Sequence, residues 1–391
     1  MSTTNVLVLG AGYTGMGAAL GIAARTRTRG GVHVTLVNPN ARFTERLRLH
    51  QTASGQDLAV LDIPTMLEGT GIEFVEGWVT AIDLDARTVR IDDERVLGFD
   101  LLVHALGAVS DTTTVPGADT HAFTLDSAHD AGLLAERLAT LPDGAPVAVV
   151  GNGLTGIEAA AEIAERHPGL TVHLLGRGEL GVMMGPKARA YLRRALDRLG
   201  VTSHTGVDVV KVLDHGVDLA DGEHLRADAV LWTTGVRVSP LAAAAGLEVD
   251  ERGRIVTDPA LRSVSHPAVY AVGDSAAVRQ SFGVLHGTCQ SGVPTAVHAA
   301  RTIARVLAGK PARPFRFGYV HQPVSLGRQD AVIQFTRPDD TPTRFCLTGR
   351  PAAAYKEAVS SSPWQAFALT KRAPAVTSLM WRRGGAATRT A

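Results

Sequence analysis

Twice in this chain an apolar strand runs straight into Gly-x-Gly-x-x-Gly and out into a helix, and that recurrence constrains the fold more than any other feature. The first copy reads Asn5-Val6-Leu7-Val8-Leu9, then Gly10-Ala11-Gly12-Tyr13-Thr14-Gly15, then a helix-compatible stretch from Met16 to Arg25; Val32 to Val37 is the next strand. The second reads Pro146-Val147-Ala148-Val149-Val150, then Gly151-Asn152-Gly153-Leu154-Thr155-Gly156, then a helix from Ile157 to about Glu165 and a strand from Leu170 to Leu175. In such a turn the first glycine makes the bend, the second lets backbone approach a pyrophosphate, and the third lets the helix pack closely. The helix N-terminus then attracts the phosphate charge. One match is weak evidence; two in the same strand–turn–helix context are strong evidence for two nucleotide-binding βαβ units.

An acidic residue usually follows at the end of the second strand, where it takes the ribose hydroxyls. The first unit has Asn38 there, an amide that can still hydrogen-bond a ribose, more weakly. The second has Gly176 followed by Arg177. Loss of the carboxylate removes repulsion toward a 2′-phosphate and an arginine can bind one, which tilts the expected preference toward NADPH. The alternative is that Arg177 is an ordinary surface arginine.

The remaining composition mainly excludes. At 391 residues the chain has room for two or three domains, and 39 basic against 38 acidic residues give no support to nucleic-acid binding. Two cysteines far apart, Cys289 and Cys346, exclude a disulfide framework, a zinc ribbon and a CxxC redox pair, and no metal site is expected. Only five of the basic residues are lysine, a bias expected of a high-GC bacterial genome. Met1 to Ala24 carries no charge, but it lacks a basic n-region and is punctuated by glycines, so it reads as the first fingerprint rather than a signal peptide. A cytoplasmic location is expected.

Further runs end in glycine: Leu102-Val103-His104-Ala105-Leu106-Gly107, Thr233-Thr234-Gly235, and Val269-Tyr270-Ala271-Val272-Gly273-Asp274. With the two fingerprints, these resemble the two-dinucleotide-binding, glutathione-reductase-like superfamily of FAD/NAD(P)H flavoproteins, over roughly residues 5 to 310. The resemblance implies an α/β fold with two Rossmann-like domains and a C-terminal α+β cap. The expected division is 1–112 and 253–314 for the FAD domain, 113–252 for the inserted NAD(P) domain, and 315–391 for the cap. It also implies FAD on Gly10, Gly12 and Gly15 with Asp274 at its ribityl or phosphate end, and NAD(P)H on Gly151, Gly153 and Gly156. Asn38, Arg48, Gly107, Arg177 and Gly235 complete the expected cofactor-contacting set.

The superfamily does not fix the electron acceptor. The FAD-domain sequence holds no thiol pair, and no cysteine stands between Arg42 and Leu47, where single-cysteine relatives carry one. Electrons are therefore expected to leave the flavin directly, to a quinone, another organic acceptor, oxygen or a carrier protein. Gly156-Ile157-Glu158 and Cys289-Gln290 most resemble type II NADH dehydrogenases and apoptosis-inducing-factor-like quinone reductases. In that family the glutamate matching Glu158 lies near the flavin–nicotinamide contact and is implicated in proton supply. A carboxyl of raised pKa is then expected, against the alternative of a glutamate that merely stabilises the helix dipole. Gln290 matches the first glutamine of the family's AQxxxQ-type quinone motif, but the second falls at Pro294, a departure. His286 reads as a loop histidine and Cys289 as a packing residue. A helix beginning near Pro294 is expected to aim its N-terminus at the flavin.

From Arg350 onward the chain holds seven basic residues and one acid, Glu357, among Trp364, Phe367, Leu369, Met380 and Trp381. Such a basic-aromatic tail can touch a membrane surface, although Pro363, Pro374 and Gly384-Gly385 are expected to break any long helix. A dimer contact or a plain soluble tail are the alternatives. Rival functions are a secondary-metabolism enzyme acting on a soluble quinonoid substrate, a reductase of ferredoxin or rubredoxin, and a nucleotide-binding protein without turnover.

Overall fold

In the computed structural model, which describes residues 3–380, the strand Thr4–Leu9 pairs in parallel with Val32–Asn38 on one side and Leu101–His104 on the other. Ile72–Glu76 and Val269–Ala271 extend the sheet to five parallel strands. The chain leaves this sheet after Leu101–His104 and builds a second parallel one before returning at Val269–Ala271. The second runs Thr202–Thr205, Thr171–Gly176, Pro146–Val150, Ala229–Trp232. Parallel strands are covered on both faces and so need continuous apolar runs rather than alternation. Val6 to Leu9 and Val147 to Val150 are buried accordingly. The architecture is the α/β arrangement with two dinucleotide-type sheets that the fingerprints imply.

The run from Phe74 to Val79 is divided between two sheets. Ile72–Glu76 joins the main parallel sheet, while Val79–Asp83 pairs antiparallel with Thr88–Ile91 in a separate three-stranded sheet. Gly77 divides them, at a point where a Cβ would run into Asp92 and Ile91.

The helix Tyr13–Thr26 lies against the helix Cys289–Leu307 through small residues: a Cβ on Gly17 would sit 3.4 Å from that of Ala296, and one on Gly21 would sit 2.8 Å from that of Ala300. The second helix begins five residues earlier than the position of Pro294 suggests. Thr288 caps it in a capping box with Ser291, which sets the start, and Pro294 is carried inside.

After it comes an antiparallel sheet of His321–Ser325, Ala331–Thr336 and Pro342–Thr348, followed by the helix Arg350–Arg372. Pro363 does not break this 23-residue helix. The Val359 carbonyl, which Pro363 cannot serve, instead accepts from Ser362 Oγ at 2.9 Å. Pro374 opens the next helix, Pro374–Met380. Two of the tail aromatics point inward: Trp364 and Phe367 pack on Phe43 at ring separations of 5.3 and 5.7 Å, and Tyr13 meets Phe43 edge-on at 5.2 Å. Trp381, Arg382, Arg383, Gly384, Gly385 and Arg389 lie outside the described residues.

Candidate active site

Both glycine turns are built alike. Gly10 and Gly151 adopt positive φ, and a Cβ on either would press to 2.6 Å from Ala105 O and from Thr233 Oγ1 respectively. Gly15 and Gly156 lie directly on the carbonyls of Gly10 and Gly151, where no side chain fits. The middle glycines differ: a Cβ on Gly12 or Gly153 would meet nothing within 4 Å. The protein itself therefore requires the outer two glycines, whereas the middle one leaves space over the loop. Gly12 and Gly153 are also the N-caps of their helices, and neither helix start receives a side-chain cap. Two helix N-termini thus offer first-turn amides to an anion beside open backbone, which fits a dinucleotide pyrophosphate in each unit.

Around the first cradle, Asn38 reaches back from its strand end and accepts the Ala11 N–H at 2.9 Å, while its Nδ2 donates to Asn40 O. Its amide thus ties the loop to the strand, leaving ribose contact to a remaining lone pair. Asp274 follows Val269–Ala271 beside the other end of the cradle. It has no hydrogen-bond partner among the described residues, lies against Gly287, and is pushed up in pKa by burial. A carboxylate so placed fits a polyhydroxyl ligand. Gly107 and Gly235 flank the short antiparallel pair Ala108–Ser110 and Val236–Val238 that links the two units. Arg48 is engaged elsewhere: it pairs with Glu45 and with Glu357 of the C-terminal helix, so it ties the first unit to the cap. Arg177 donates to Asp208 at 2.7 Å on the surface.

Glu158 is where the three parts of the chain meet. It lies in the helix Leu154–Arg166, is 7% exposed, and pairs with Lys356 of the Arg350–Arg372 helix at 2.8 Å. It also accepts from the backbone N–H of Ser325 at 2.9 Å and from Ser325 Oγ, which contacts His50 Nε2 at 3.4 Å. Burial works against the charge of Glu158, but Lys356, His50 and the Ser325 amide together outweigh it and hold the carboxyl below the usual range. This corrects the expectation of a raised pKa. The raised carboxyl is one turn further on: burial pushes Glu162 up to about 7. Glu162 is 1% exposed, accepts from Gln56 through one oxygen, and leaves the other without a hydrogen bond 3.9 Å from Arg328. Burial drives His50 down to about 4, against the pull of the Glu158 charge.

Glu162, His50, Ser325 and Lys356 escaped the sequence reading. An acid inside Ala159-Ala160-Ala161-Glu162-Ile163-Ala164 was the one available signal, because a buried helix face rarely carries a lone carboxyl.

Gln290 lies at the start of Cys289–Leu307 with both ends of its amide engaged: Nε2 donates to His321 O at 2.7 Å, and Oε1 accepts from Val320 N at 2.7 Å. It clamps the entry to the cap sheet instead of presenting a free amide. His286 stacks on Tyr319 with ring centroids 4.5 Å apart and pairs with Asp340. Burial pushes the Cys289 thiol up to about 12, as suits a packing residue, and neither cysteine is in a disulfide.

Two cradles of this kind on two parallel sheets define a dinucleotide-dependent oxidoreductase. The chain belongs to the pyridine nucleotide-disulphide oxidoreductase family, whose model matches residues 4–304. It is an NAD(P)H oxidoreductase. It is 32% identical to an NADH dehydrogenase-like protein of Mycobacterium tuberculosis over 92% of this chain and 93% of that one. It is 27% identical to the type II NADH:quinone oxidoreductase of Staphylococcus haemolyticus, covering 91% and 94%. Among solved structures, the sulfide:quinone oxidoreductase of Aquifex aeolicus shares the fold with a TM-score of 0.82 at 16% identity, over 97% of this chain and 94% of that one. Plasmodium falciparum NDH2 does so with 0.77 at 16% identity, over 95% and 99%.

Proposed function

We propose that the protein is a FAD-dependent oxidoreductase that takes hydride from NAD(P)H and hands electrons to a quinone-like acceptor. The observation that carries it is the pair of uncapped, ligand-open glycine cradles in a chain whose cysteines form no disulfide. Gly12, the first-turn amides of Tyr13–Thr26 and Asp274 would hold FAD; Gly153 and the first turn of Leu154–Arg166 would hold the nicotinamide dinucleotide. When bound, FAD supplies hydride acceptance and the return of electrons. Reducing a quinone with NAD(P)H consumes one further proton; Glu162, whose buried carboxyl is raised to about 7, is the group able to hold it, and Glu158, kept ionised between Lys356 and Ser325 one turn away, is the acceptor that relays it. Gln290 acts as a positioning residue, holding the cap entry at residues 320–321. That engagement, with Pro294, also favours a second reading: a soluble quinonoid substrate held without the glutamine pair.

No helix among the described residues is long and apolar enough to cross a membrane. A cytoplasmic enzyme in peripheral contact with a membrane is part of the proposal, supported by Leu369 and Val376 exposed on the C-terminal helices. Flotation with anionic liposomes tests it, and sedimentation tests the alternative, a homodimer contact through the tail.

The decisive experiment is anaerobic stopped-flow at about 450 nm, in the oxidised flavin band. NADH or NADPH is expected to bleach the flavin, and a menaquinone analogue to restore it. Bleaching without recovery moves the acceptor to soluble substrates or carrier proteins; no bleaching by either nucleotide refutes the reductase.

A further inference from the structure

The link between glycine turn and strand end is made in opposite directions in the two units. In the first, the strand-end residue Asn38 reaches to the loop backbone at Ala11. In the second the chemistry is exchanged: the loop residue is Asn152 and the strand-end residue is Gly176. Asn152 Nδ2 donates to Gly178 O at 2.6 Å. Its carboxamide lies where a side chain at residue 176 would stand, since a Cβ on Gly176 would run into Asn152 Cγ, Oδ1 and Nδ2. Asn152 Oδ1 has no hydrogen-bond partner among the described residues.

The carboxyl end of this strand is where dinucleotide folds place the adenosine ribose, usually met by an acid. We propose, building on the second cradle as the NAD(P)H site, that Asn152 is the specificity-determining residue of its adenosine end. Its amide replaces the strand-end carboxylate and meets the ribose by uncharged hydrogen bonds, so it does not repel a 2′-phosphate. The attraction that would favour that phosphate is also cancelled. Arg177, next along the chain, gives its Nε–H to Asp208 at 2.7 Å, and Asp208 follows the neighbouring strand Thr202–Thr205 at the same end of the sheet. A 2′-phosphate that meets the Nη groups of Arg177 also faces the Asp208 charge held at its Nε. The site is thus neutral toward the feature that separates NADH from NADPH. A side chain at residue 176 has to displace the Asn152 carboxamide from this place.

Calorimetric binding of ADP and 2′,5′-ADP to the holoenzyme tests this without redox turnover, so its outcome is independent of the electron acceptor. The wild type should bind the two within about tenfold of each other, as expected where no net charge discriminates. Gly176→Asp alone should weaken both ligands, because the new side chain must expel Asn152. The double variant Asn152→Gly with Gly176→Asp should favour ADP by about tenfold or more, and Asp208→Asn should raise 2′,5′-ADP affinity about tenfold while leaving ADP unchanged. Asn152→Ser, a small change at a half-exposed site, should weaken both ligands in parallel. Gly176→Asp giving tight, ADP-selective binding by itself would overturn the proposal, as would Asn152→Ser with both affinities unchanged. If the wild type binds neither ligand, the second cradle is not a nucleotide site and the proposal falls with it. Failure of the quinone step alone leaves these affinities untouched.

Discussion

Glu158 and Glu162 stand one turn apart on the same buried helix, yet their surroundings drive them in opposite directions. For Glu158, with its pKa depressed in the fold, the stabilising contribution is present above the unfolded carboxyl pKa and lost as pH falls through the lower folded value. For Glu162, raised to about 7, the contribution is complete below the unfolded value and lost as pH rises through about 7. Glu162 should therefore contribute a decline in melting temperature between about pH 4 and 7, opposed over the same range by the buried His50, whose lowered pKa adds stability as pH rises. Glu162→Gln should flatten that decline while keeping an acceptor for Gln56. A slope identical in both proteins would mean that Glu162 does not carry the proton. Glu158→Gln is expected to slow quinone-driven flavin recovery at least tenfold, the lower range of general acid–base effects being about a hundredfold, and to spare bleaching by NAD(P)H. Equal recovery rates in variant and wild type would remove Glu158 from the acceptor half-reaction.

At the scale of the element, the glycine turns separate folding from binding. Gly12 and Gly153 have ordinary negative φ, and a Cβ there touches no protein atom, so alanine should be tolerated by the fold. Gly12→Ala should yield a folded protein depleted in flavin, seen in the ratio of flavin to protein absorbance. Gly153→Ala should keep its flavin and weaken nicotinamide binding. Gly15→Ala, whose Cβ would overlap the Gly10 carbonyl, should instead fail to fold. A fully flavinylated Gly12→Ala would show that the pyrophosphate lies elsewhere. The Arg350–Arg372 helix has a different dependence. Ser362→Ala leaves the Val359 carbonyl without its hydroxyl partner beside Pro363, and should cost about 1 kcal/mol in chemical denaturation, the usual contribution of such a bond. The fingerprints and the strands that lead into and out of them were legible in the sequence because local periodicity and glycine spacing encode them. The tail helix was not, because side-chain hydroxyls that rescue a proline-containing helix leave no periodic trace.

Across the whole molecule, Lys356 and Glu357, adjacent on the last long helix, reach different parts of the chain: Glu158 in the second unit, and Arg48 in the first. Arg328 of the cap joins Glu357 at 3.4 Å. This network locks the cap onto both units. Lys356→Met leaves Glu158 buried without its cation and should cost about 3–5 kcal/mol of stability, as breaking one side of a buried pair does. A double variant with Glu158→Gln should recover much of the loss, and both are read by urea denaturation of the holoenzyme. An equal loss in single and double variants would show that Lys356 acts by packing alone.

The sequence by itself determined the two βαβ units, their glycine turns and the absence of a redox thiol pair, since each rests on residues near one another in the chain. Only the tertiary structure decided which carboxyl is charged, what Gln290 and Arg48 hold, and that Asn152 fills the place above Gly176. Those outcomes depend on desolvation and on partners tens to hundreds of residues away, and no local pattern records which groups the fold will bring together.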